Sequence, residues 1–256
     1  MTITLPSRST APALPVDADG QPVAVHARGL RLDGKRGRIY GPIDLDLPTG
    51  SLTVLTGRAG TGKTSLLLSL AGRMNPSAGE LTVLGYELPR RSRSVQHRTS
   101  AMGIAGLDDL DEEVSVGACV RERQAWLALP WKIVRSPNDA TVERVCAAAF
   151  GDLPVPAAAD IVHELPEASN LLLRIALALL SEPQLIVVDE IDQLHDLGER
   201  DLIWKRLEAI AASGVTVVAA CSGAAELDRV DWQRPPRHVP LPDHETVTLS
   251  SAADAR

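Results

Sequence analysis

The fold of this chain is decided by the stretch Gly57-Arg58-Ala59-Gly60-Thr61-Gly62-Lys63-Thr64, which fits the pattern G-x-x-x-x-G-K-[ST] at every fixed position. The stretch Leu52-Thr53-Val54-Leu55-Thr56 before it predicts a short buried strand, and residues 65–71 after it predict the start of a helix. Three glycines let the backbone turn tightly, so that successive N–H groups point into one concavity. A turn of this kind at a helix N-terminus predicts a binding site for nucleotide phosphates.

The lysine and the threonine of this phosphate loop predict two separate contacts. We expect Lys63 to reach the β- and γ-phosphates and the hydroxyl of Thr64 to ligate Mg²⁺. The alternative is a glycine-rich turn that contains a lysine by chance, and the strand before and the helix after argue against it. The nucleotide-binding residues predicted from the sequence are Gly57, Arg58, Ala59, Gly60, Thr61, Gly62, Lys63, Thr64 and Ser65.

A second group of candidate residues is the carboxylate pair Asp189-Glu190, which follows the fully apolar run Leu185-Ile186-Val187-Val188. Its β-branched residues predict a central strand of a parallel sheet, and ligands bind at the carboxyl ends of such strands. We expect this strand to lie next to the strand 52–56. Asp189 would then hold Mg²⁺, directly or through water, and Glu190 would polarise the water that attacks the γ-phosphorus. An apolar strand ending in Asp-Glu is common by itself, and the phosphate loop upstream is what favours this interpretation.

The composition restricts the classes of function. Aromatic residues make up 3% of the chain and the formal net charge is −7, so a surface that binds nucleic acid is not expected. Four neighbouring arginines without interleaved aromatic residues are interpreted as a solvated loop: Arg90, Arg91, Arg93 and Arg98. Three widely spaced cysteines favour neither a disulfide framework nor a metal site and suit a reducing compartment: Cys119, Cys146 and Cys221. No apolar run approaches the roughly 20 residues that span a bilayer.

The predicted fold class is α/β, a P-loop NTPase with a mainly parallel sheet flanked by helices, an N-terminal β part and an inserted helical subdomain. We expect residues 1–22 to be a flexible leader, residues 23–235 the domain, and residues 236–256 a C-terminal tail that is partly disordered. Apolar residues recur at helical spacing from about residue 100 to 170, which predicts the helical subdomain. Trp126 and Trp131 within it are interpreted as packing residues.

From about residue 23 to 230 the sequence resembles the ATP-binding-cassette (ABC) ATPase family. The order of strand, phosphate loop, Pro76-Ser77-Ala78-Gly79 turn, helical insert and Asp-Glu strand is the same. When Leu165 is aligned with the leucine of the family's signature L-S-G-G-Q, Pro183 falls on a family proline without a gap. Asp196 then falls where the family has the aspartate of its D-loop.

The signature itself departs from the family pattern, because it reads Leu165-Pro166-Glu167-Ala168-Ser169. In the family this segment contacts the γ-phosphate of ATP held by a second subunit. Pro166 has no N–H group, and Glu167 would bring negative charge toward a phosphate. The same two residues are well suited to the first turn of a helix, and we favour that role.

Three more family positions are altered in this sequence. The Q-loop glutamine falls near Leu107, and the switch histidine falls on Ser222, which cannot carry charge near pH 7. No aromatic residue for stacking on adenine is evident between residues 31 and 35, and Tyr40 is a weak substitute. The resemblance therefore implies intact nucleotide binding with slow turnover, or catalysis that needs a partner subunit with better-matched motifs.

The resemblance implies an ATP-binding subunit of an ABC-type transporter that takes ATP and Mg²⁺ and hydrolyses ATP with Glu190 as catalytic residue. It implies a membrane-spanning permease as partner, a homo- or heterodimer of ATP-binding subunits, and a cytoplasmic location at the inner face of the cell membrane. Two alternatives remain. A degenerate cassette would use ATP as a regulatory or structural ligand without turnover, and a soluble phosphotransferase would share the loop but lacks an evident second substrate site.

Overall fold

The computed structural model describes residues 12–17, 20–35, 37–104, 106–129, 131, 133–189 and 191–242. Within these residues the chain forms two β-sheets. The antiparallel sheet contains β1 (Val23–Gly34), β2 (Gly37–Pro48), β4 (Ala78–Val83) and β5 (Tyr86–Leu88), in the order β2-β1-β4-β5. The parallel sheet contains β3 (Leu52–Thr56), β6 (Thr99–Met102), β7 (Leu185–Val188), β8 (Thr216–Cys221) and β9 (Arg237–Pro240), in the order β6-β7-β8-β3-β9.

Helices cover both faces of the parallel sheet. They are α1 (Lys63–Leu70), α2 (Ser92–Gln96), α3 (Val116–Leu127), α4 (Asp139–Phe150), α5 (Glu167–Leu179), α6 (Leu197–Ala212) and α7 (Ala225–Arg229). The starts of α3, α4 and α6 are capped by the side chains of Ser115, Asn138 and Asp196, which accept backbone N–H groups. No helix among the described residues is both long enough and apolar enough to span a bilayer.

The parallel sheet separates two hydrophobic cores, because successive side chains of a strand point to opposite faces. In β7, Ile186 and Val188 belong to the core that contains α3 to α6, whereas Leu185 and Val187 belong to the core that contains α1 and the antiparallel sheet. A strand covered on both faces is apolar along its whole length, as β7 is. The predicted α/β class is confirmed, with its mainly parallel sheet, N-terminal β part and inserted helices.

The order of the strands corrects one expectation from the sequence. We expected β7 to lie next to β3, but β8 lies between them and pairs in parallel with both. The residues of β8 are all buried, which suits this central position. The carboxyl end of β7 still meets the phosphate loop, because α1 begins just after β3 and packs across β8 onto β7.

The two tryptophans of the helical part correct a second expectation. Trp126 and Trp131 are each 77% exposed, so neither packs in a core as predicted. The buried stripe of α3 is formed by Val116, Cys119 and Val120, and Trp126 lies beyond it in the last turn of the helix. Trp131 follows after the helix has ended.

The domain limits derived from composition stay a prediction. Residues 1–11 of the predicted leader and residues 243–256 of the predicted tail lie outside the described residues. Strand β9 falls inside the segment assigned to the tail and pairs with β3, from Thr53 opposite Arg237 to Thr56 opposite Pro240. The edge of the parallel sheet beside the phosphate-loop strand is therefore made by the last strand in the sequence that the structure describes.

Candidate functional site

The phosphate loop connects β3 to α1, and its glycines adopt conformations that explain their positions. Gly60 and Gly62 have φ angles of 87° and 84°, in the left-handed region that favours glycine. A Cβ atom on Gly62 would lie 2.3 Å from the carbonyl oxygen of Ile39, so the loop is pressed against β2. A Cβ atom on Gly57 would lie 2.6 Å from Oγ1 of Thr61. The loop therefore has the tight turn that the sequence pattern predicts, together with a close approach to β2 that the pattern did not predict.

Helix α1 begins at Lys63, and its first turn contains no acidic residue that would offset the positive end of the helix dipole. The Nζ atom of Lys63 donates to the carbonyl oxygens of Gly57, at 2.6 Å, and Arg58, at 3.1 Å. In both contacts the acceptor of the ammonium group is a neutral carbonyl oxygen of the loop. A phosphate oxygen would be a stronger, charged acceptor for the same group.

The hydroxyl of Thr64 donates a hydrogen bond to Oδ2 of Asp189. Asp189 is 6% exposed and directly follows β7, and its backbone N–H donates to the carbonyl oxygen of Met102 at 2.9 Å. The two residues that the sequence assigns to Mg²⁺ therefore lie in contact. Thr64 belongs to the first turn of α1 and Asp189 follows β7. Glu190, the predicted catalytic residue, lies outside the described residues.

The donor atoms at this position fit a magnesium ion. A hydroxyl and a carboxylate supply hard oxygen ligands, which Mg²⁺ prefers. Among the described residues no group of three or more His, Cys, Asp and Glu side chains comes close enough together to hold a metal. A Mg²⁺ ion at Thr64 and Asp189 would therefore take its other ligands from phosphate oxygens and water, which is how Mg²⁺ commonly binds with nucleotides.

The segment at the family's signature position forms the start of α5, as we expected from its Pro-Glu pair. Pro166 precedes the helix and Glu167 is its first residue. The Glu167 carboxylate accepts the backbone N–H of His195 at 2.9 Å and contacts its ring Nδ1 at 2.7 Å. These hydrogen bonds from His195, the backbone one first, hold the pKa of the Glu167 carboxyl below its usual value. The side chain thus connects α5 to the loop before α6.

One residue of the site was missed by sequence reasoning. Leu107, at the position expected for the family's glutamine, is 43% exposed, and the next residue, Asp108, makes the contacts there. Its carboxylate accepts the N–H groups of Gly103 at 3.0 Å and Ile104 at 3.1 Å, and it forms an ion pair of 2.7 Å with Arg174 of α5. An acidic residue in an acidic run carries no pattern that would have singled it out.

Two weaker candidates have structural roles or remain exposed. Tyr40 is fully buried and its hydroxyl donates to Oγ of Ser69 at 2.7 Å, so it is not available to stack on adenine. Burial raises the pKa of this phenol. Ser222 is exposed after the end of β8.

The other predicted nucleotide-binding residues lie in or beside the phosphate loop. They are Arg58, Ala59 and Ser65, of which Arg58 and Ala59 are exposed.

The comparisons with known proteins agree with this geometry. The family model described as ABC transporter matches residues 40–193. Nod factor export ATP-binding protein I of Cupriavidus pinatubonensis is 29% identical over 192 residues, which are 75% of this chain and 56% of that protein. The protein of the same name from Mesorhizobium japonicum is 29% identical over 208 residues, 81% of this chain and 58% of that protein. The chain thus spans a little more than half the length of these relatives.

Solved structures share the fold at low sequence identity. The cbiO1 protein from Clostridium perfringens, part of the ABC transporter complex cbiONQ, superposes with a TM-score of 0.64 at 19% identity, covering 78% of this chain and 79% of that one. A putative ABC transporter ATP-binding protein from Pyrococcus furiosus superposes with a TM-score of 0.63 at 15% identity, covering 85% and 96%. With the family model covering more than half of the residues, the chain belongs to the ABC transporter family and has the fold of its ATP-binding cassettes.

Proposed function

We propose that this chain is an ATP-binding subunit of an ABC-type transporter, which binds Mg·ATP at the phosphate loop and hydrolyses it slowly to drive a membrane-spanning permease. The observation that carries the proposal is the contact between Thr64 and Asp189 beside the ammonium group of Lys63. Lys63 and Thr64 are neighbours in the phosphate loop, whereas Asp189 lies 125 positions after Thr64. Together they supply an ammonium group, a hydroxyl and a carboxylate, which suit a metal-bound triphosphate.

Each residue has one task in the proposed site. The loop amides and Lys63 bind the phosphates, with Lys63 exchanging the carbonyl oxygens of Gly57 and Arg58 for charged phosphate oxygens. Thr64 and Asp189 would hold Mg²⁺, which would supply positive charge to neutralise the phosphates. Glu190, whose role rests on the sequence, orients the attacking water and accepts its proton.

We further propose that the chain works at the cytoplasmic face of a membrane, paired with a second ATP-binding subunit. The support is the family membership together with the names of the curated relatives, which are ATP-binding proteins for Nod factor export. Export is therefore the direction of transport that we propose.

A second candidate function is nucleotide binding without turnover. It is favoured by Glu167, whose carboxylate is bound to His195 at the position where the family presents small residues to a phosphate. Leu107 and Ser222 support it in the same way, because neither can make the charged or amide contacts of the family residues. In this case ATP would act as a regulatory or structural ligand.

Phosphate release and nucleotide binding, measured separately, test the proposal. The full chain is titrated with a fluorescent ATP analogue in the presence of Mg²⁺, and phosphate release from ATP is followed with and without its membrane partner. We expect Lys63→Ala to weaken binding by about tenfold or more, because the charge-assisted contact is lost. We expect Glu190→Gln to keep binding and lower phosphate release by about 100-fold or more.

Three outcomes separate the candidates. Binding together with release that Glu190→Gln abolishes supports hydrolysis. Binding with release equal in wild type and Glu190→Gln selects the regulatory function instead. A wild-type chain that binds no more analogue than Lys63→Ala would overturn nucleotide binding at this loop.

A further inference from the structure

We propose that Asp108 and Arg174 form a positioning pair that holds the turn after β6 against Asp189 and thereby tunes how tightly Mg²⁺ is held there. The inference rests on the proposed function, because it concerns the residue to which we assign Mg²⁺. Neither residue lies in the phosphate loop or in the Asp-Glu strand end, and the pair is 66 positions apart in the sequence.

The pair is well defined and mostly buried. Nε and Nη2 of Arg174 each lie 2.7 Å from Oδ2 of Asp108, and the two side chains are 17% and 14% exposed. Arg174 also lies 3.9 Å from Asp109, but the Asp109 side chain is 61% exposed. Breaking such a mostly buried ion pair is destabilising, because it leaves one charge without a partner and largely shielded from water.

The carboxylate of Asp108 fixes the backbone of the turn that follows β6. Its Oδ2 accepts the N–H of Gly103 and its Oδ1 the N–H of Ile104. Arg174 saturates the same carboxylate from α5, so the helix and the turn are joined through a single side chain. Moving α5 relative to the sheet would therefore move the turn with it.

The turn after β6 contacts Asp189 through the backbone. Gly103 has a φ angle of 70°, and a Cβ atom on it would lie 2.2 Å from the carbonyl oxygen of Asp189. The backbone N–H of Asp189 donates to Met102, the residue before Gly103. A continuous set of contacts therefore runs from α5 through Asp108 and Gly103 to the residue that accepts the hydrogen bond of Thr64.

The position of Arg174 in the fold strengthens the inference. It lines a cavity of about 280 Å³ on one side, together with Asp108, Leu107 and Trp126. It also lines a second cavity of about 520 Å³ that contains Gly103 and Asp189. Arg174 thus lines both the cavity that contains Leu107 and Trp126 and the cavity that contains Asp189. Side chains that orient a metal ligand without touching the metal commonly change metal affinity when they are altered.

The experiment compares Arg174→Met with wild type in two measurements on the full chain. Amide hydrogen exchange of Gly103 and Ile104, followed by NMR without nucleotide, reports on the turn. The Mg²⁺ concentration that gives half-maximal binding of a fluorescent ATP analogue reports on the metal. For Arg174→Met we expect both amides to exchange about tenfold faster and the half-maximal Mg²⁺ concentration to rise about tenfold. Affinity for the analogue without Mg²⁺ should change by less than about twofold.

Four further variants complete the test. Arg174→Lys keeps the charge but loses the guanidinium fork, so we expect intermediate values, and it serves if Arg174→Met does not fold. Asp108→Asn should have at least as large an effect as Arg174→Met, because its amide also leaves the N–H groups of Gly103 and Ile104 with a single acceptor oxygen. The double variant should add little to Asp108→Asn, because the ion pair can be lost only once. Arg123→Met is the matched control, since Arg123 lines the same cavity of about 280 Å³ as Arg174 but donates to the carbonyl oxygen of Leu177 at 3.0 Å. It should behave as wild type in both measurements.

Failure of this inference is distinguishable from failure of the proposed function. If wild type shows no Mg²⁺-dependent binding of the analogue, the proposed function fails. If wild type binds with Mg²⁺ while Arg174→Met and Arg123→Met are indistinguishable in amide exchange and in Mg²⁺ dependence, only the positioning role is overturned.

Discussion

Thr64 donates its hydroxyl hydrogen to the carboxylate of Asp189, although the two residues are 125 positions apart in the sequence. Strand β8 lies between β3 and β7, and Thr64 reaches Asp189 because α1 packs against both β8 and β7. This contact brings the only two side chains to which the sequence assigns Mg²⁺ into one place. The site geometry therefore depends on the packing of α1 as much as on the loop itself.

The Thr64 hydroxyl provides the first prediction. Thr64→Val keeps the shape of the side chain but removes the donor and the metal ligand. We expect Mg²⁺-dependent binding of a fluorescent ATP analogue to weaken by about tenfold, because one oxygen ligand is lost. Thr64→Ser keeps the hydroxyl and should stay within about threefold of wild type. Equal affinities for the Val and Ser variants would contradict a metal-binding role for this hydroxyl.

Two glycines of the loop provide a matched comparison of strain and contact. Gly60→Ala must adopt a φ angle of 87° but meets no atom within 4 Å, so we expect it to lower the free energy of unfolding by about 1 kcal/mol. Gly62→Ala has a similar φ angle and also places Cβ 2.3 Å from the carbonyl oxygen of Ile39. We expect a loss of about 3 kcal/mol or more, measured by denaturant unfolding. A loss for Gly62→Ala no larger than that for Gly60→Ala would refute the close approach to β2.

Strands β1 and β2 are joined by a cluster of ionisable side chains around Asp46, whose contribution to stability should depend on pH. Asp46 accepts hydrogen bonds from Arg28 at 2.6 and 3.0 Å and contacts Nδ1 of His26 at 2.7 Å. Arg28 first, and then His26, lower the pKa of the Asp46 carboxyl. A depressed carboxyl pKa adds stability that is present above the unfolded value near pH 4 and is lost as the pH falls through the folded value.

We therefore expect Asp46→Asn to lower the free energy of unfolding at pH 7 by about 1 kcal/mol, a modest value because Arg28 is partly exposed. The difference between the variant and wild type should shrink as the pH falls below about 4. Denaturant unfolding at pH 7, 5 and 3 measures it. If the difference in free energy of unfolding stays constant from pH 7 to pH 3, the charge of Asp46 is not the source of the stabilisation.

The three cysteines are buried, and burial raises the pKa of each thiol, to about 11 for Cys146 and to about 12 for Cys221. The thiolate is the reactive form, so the native protein should react very slowly with a thiol reagent at pH 8. All three should react rapidly in guanidinium chloride, as followed by absorbance. Rapid labelling of a native cysteine would contradict its burial, and Cys119, which is 5% exposed whereas the other two are fully buried, is where an exception would be found first.

The sequence predicted the features that depend on residues close together in the chain, and it missed those that depend on packing between distant residues. The phosphate loop was predictable because Gly60 and Gly62 are required by local backbone geometry, and the start of α5 because Pro166 and Glu167 act within one helical turn. The position of β8 between β3 and β7 was not, because strand order is set by which apolar faces pack together across long distances. Asp108 and Arg174 were missed for the same reason, since no spacing in the sequence connects a turn residue with a residue on a distant helix.

Strand β9 has a consequence for the order in which the site can be completed during synthesis. It pairs with β3, and the N–H of Leu241 donates to the carbonyl oxygen of Thr56 at 2.7 Å, directly before the phosphate loop. A ribosome-bound chain that has released only its first two hundred residues carries the whole phosphate-loop motif but leaves both edges of β3 unpaired. We therefore expect nucleotide to bind with full affinity only after β8 and β9 have emerged and paired with β3.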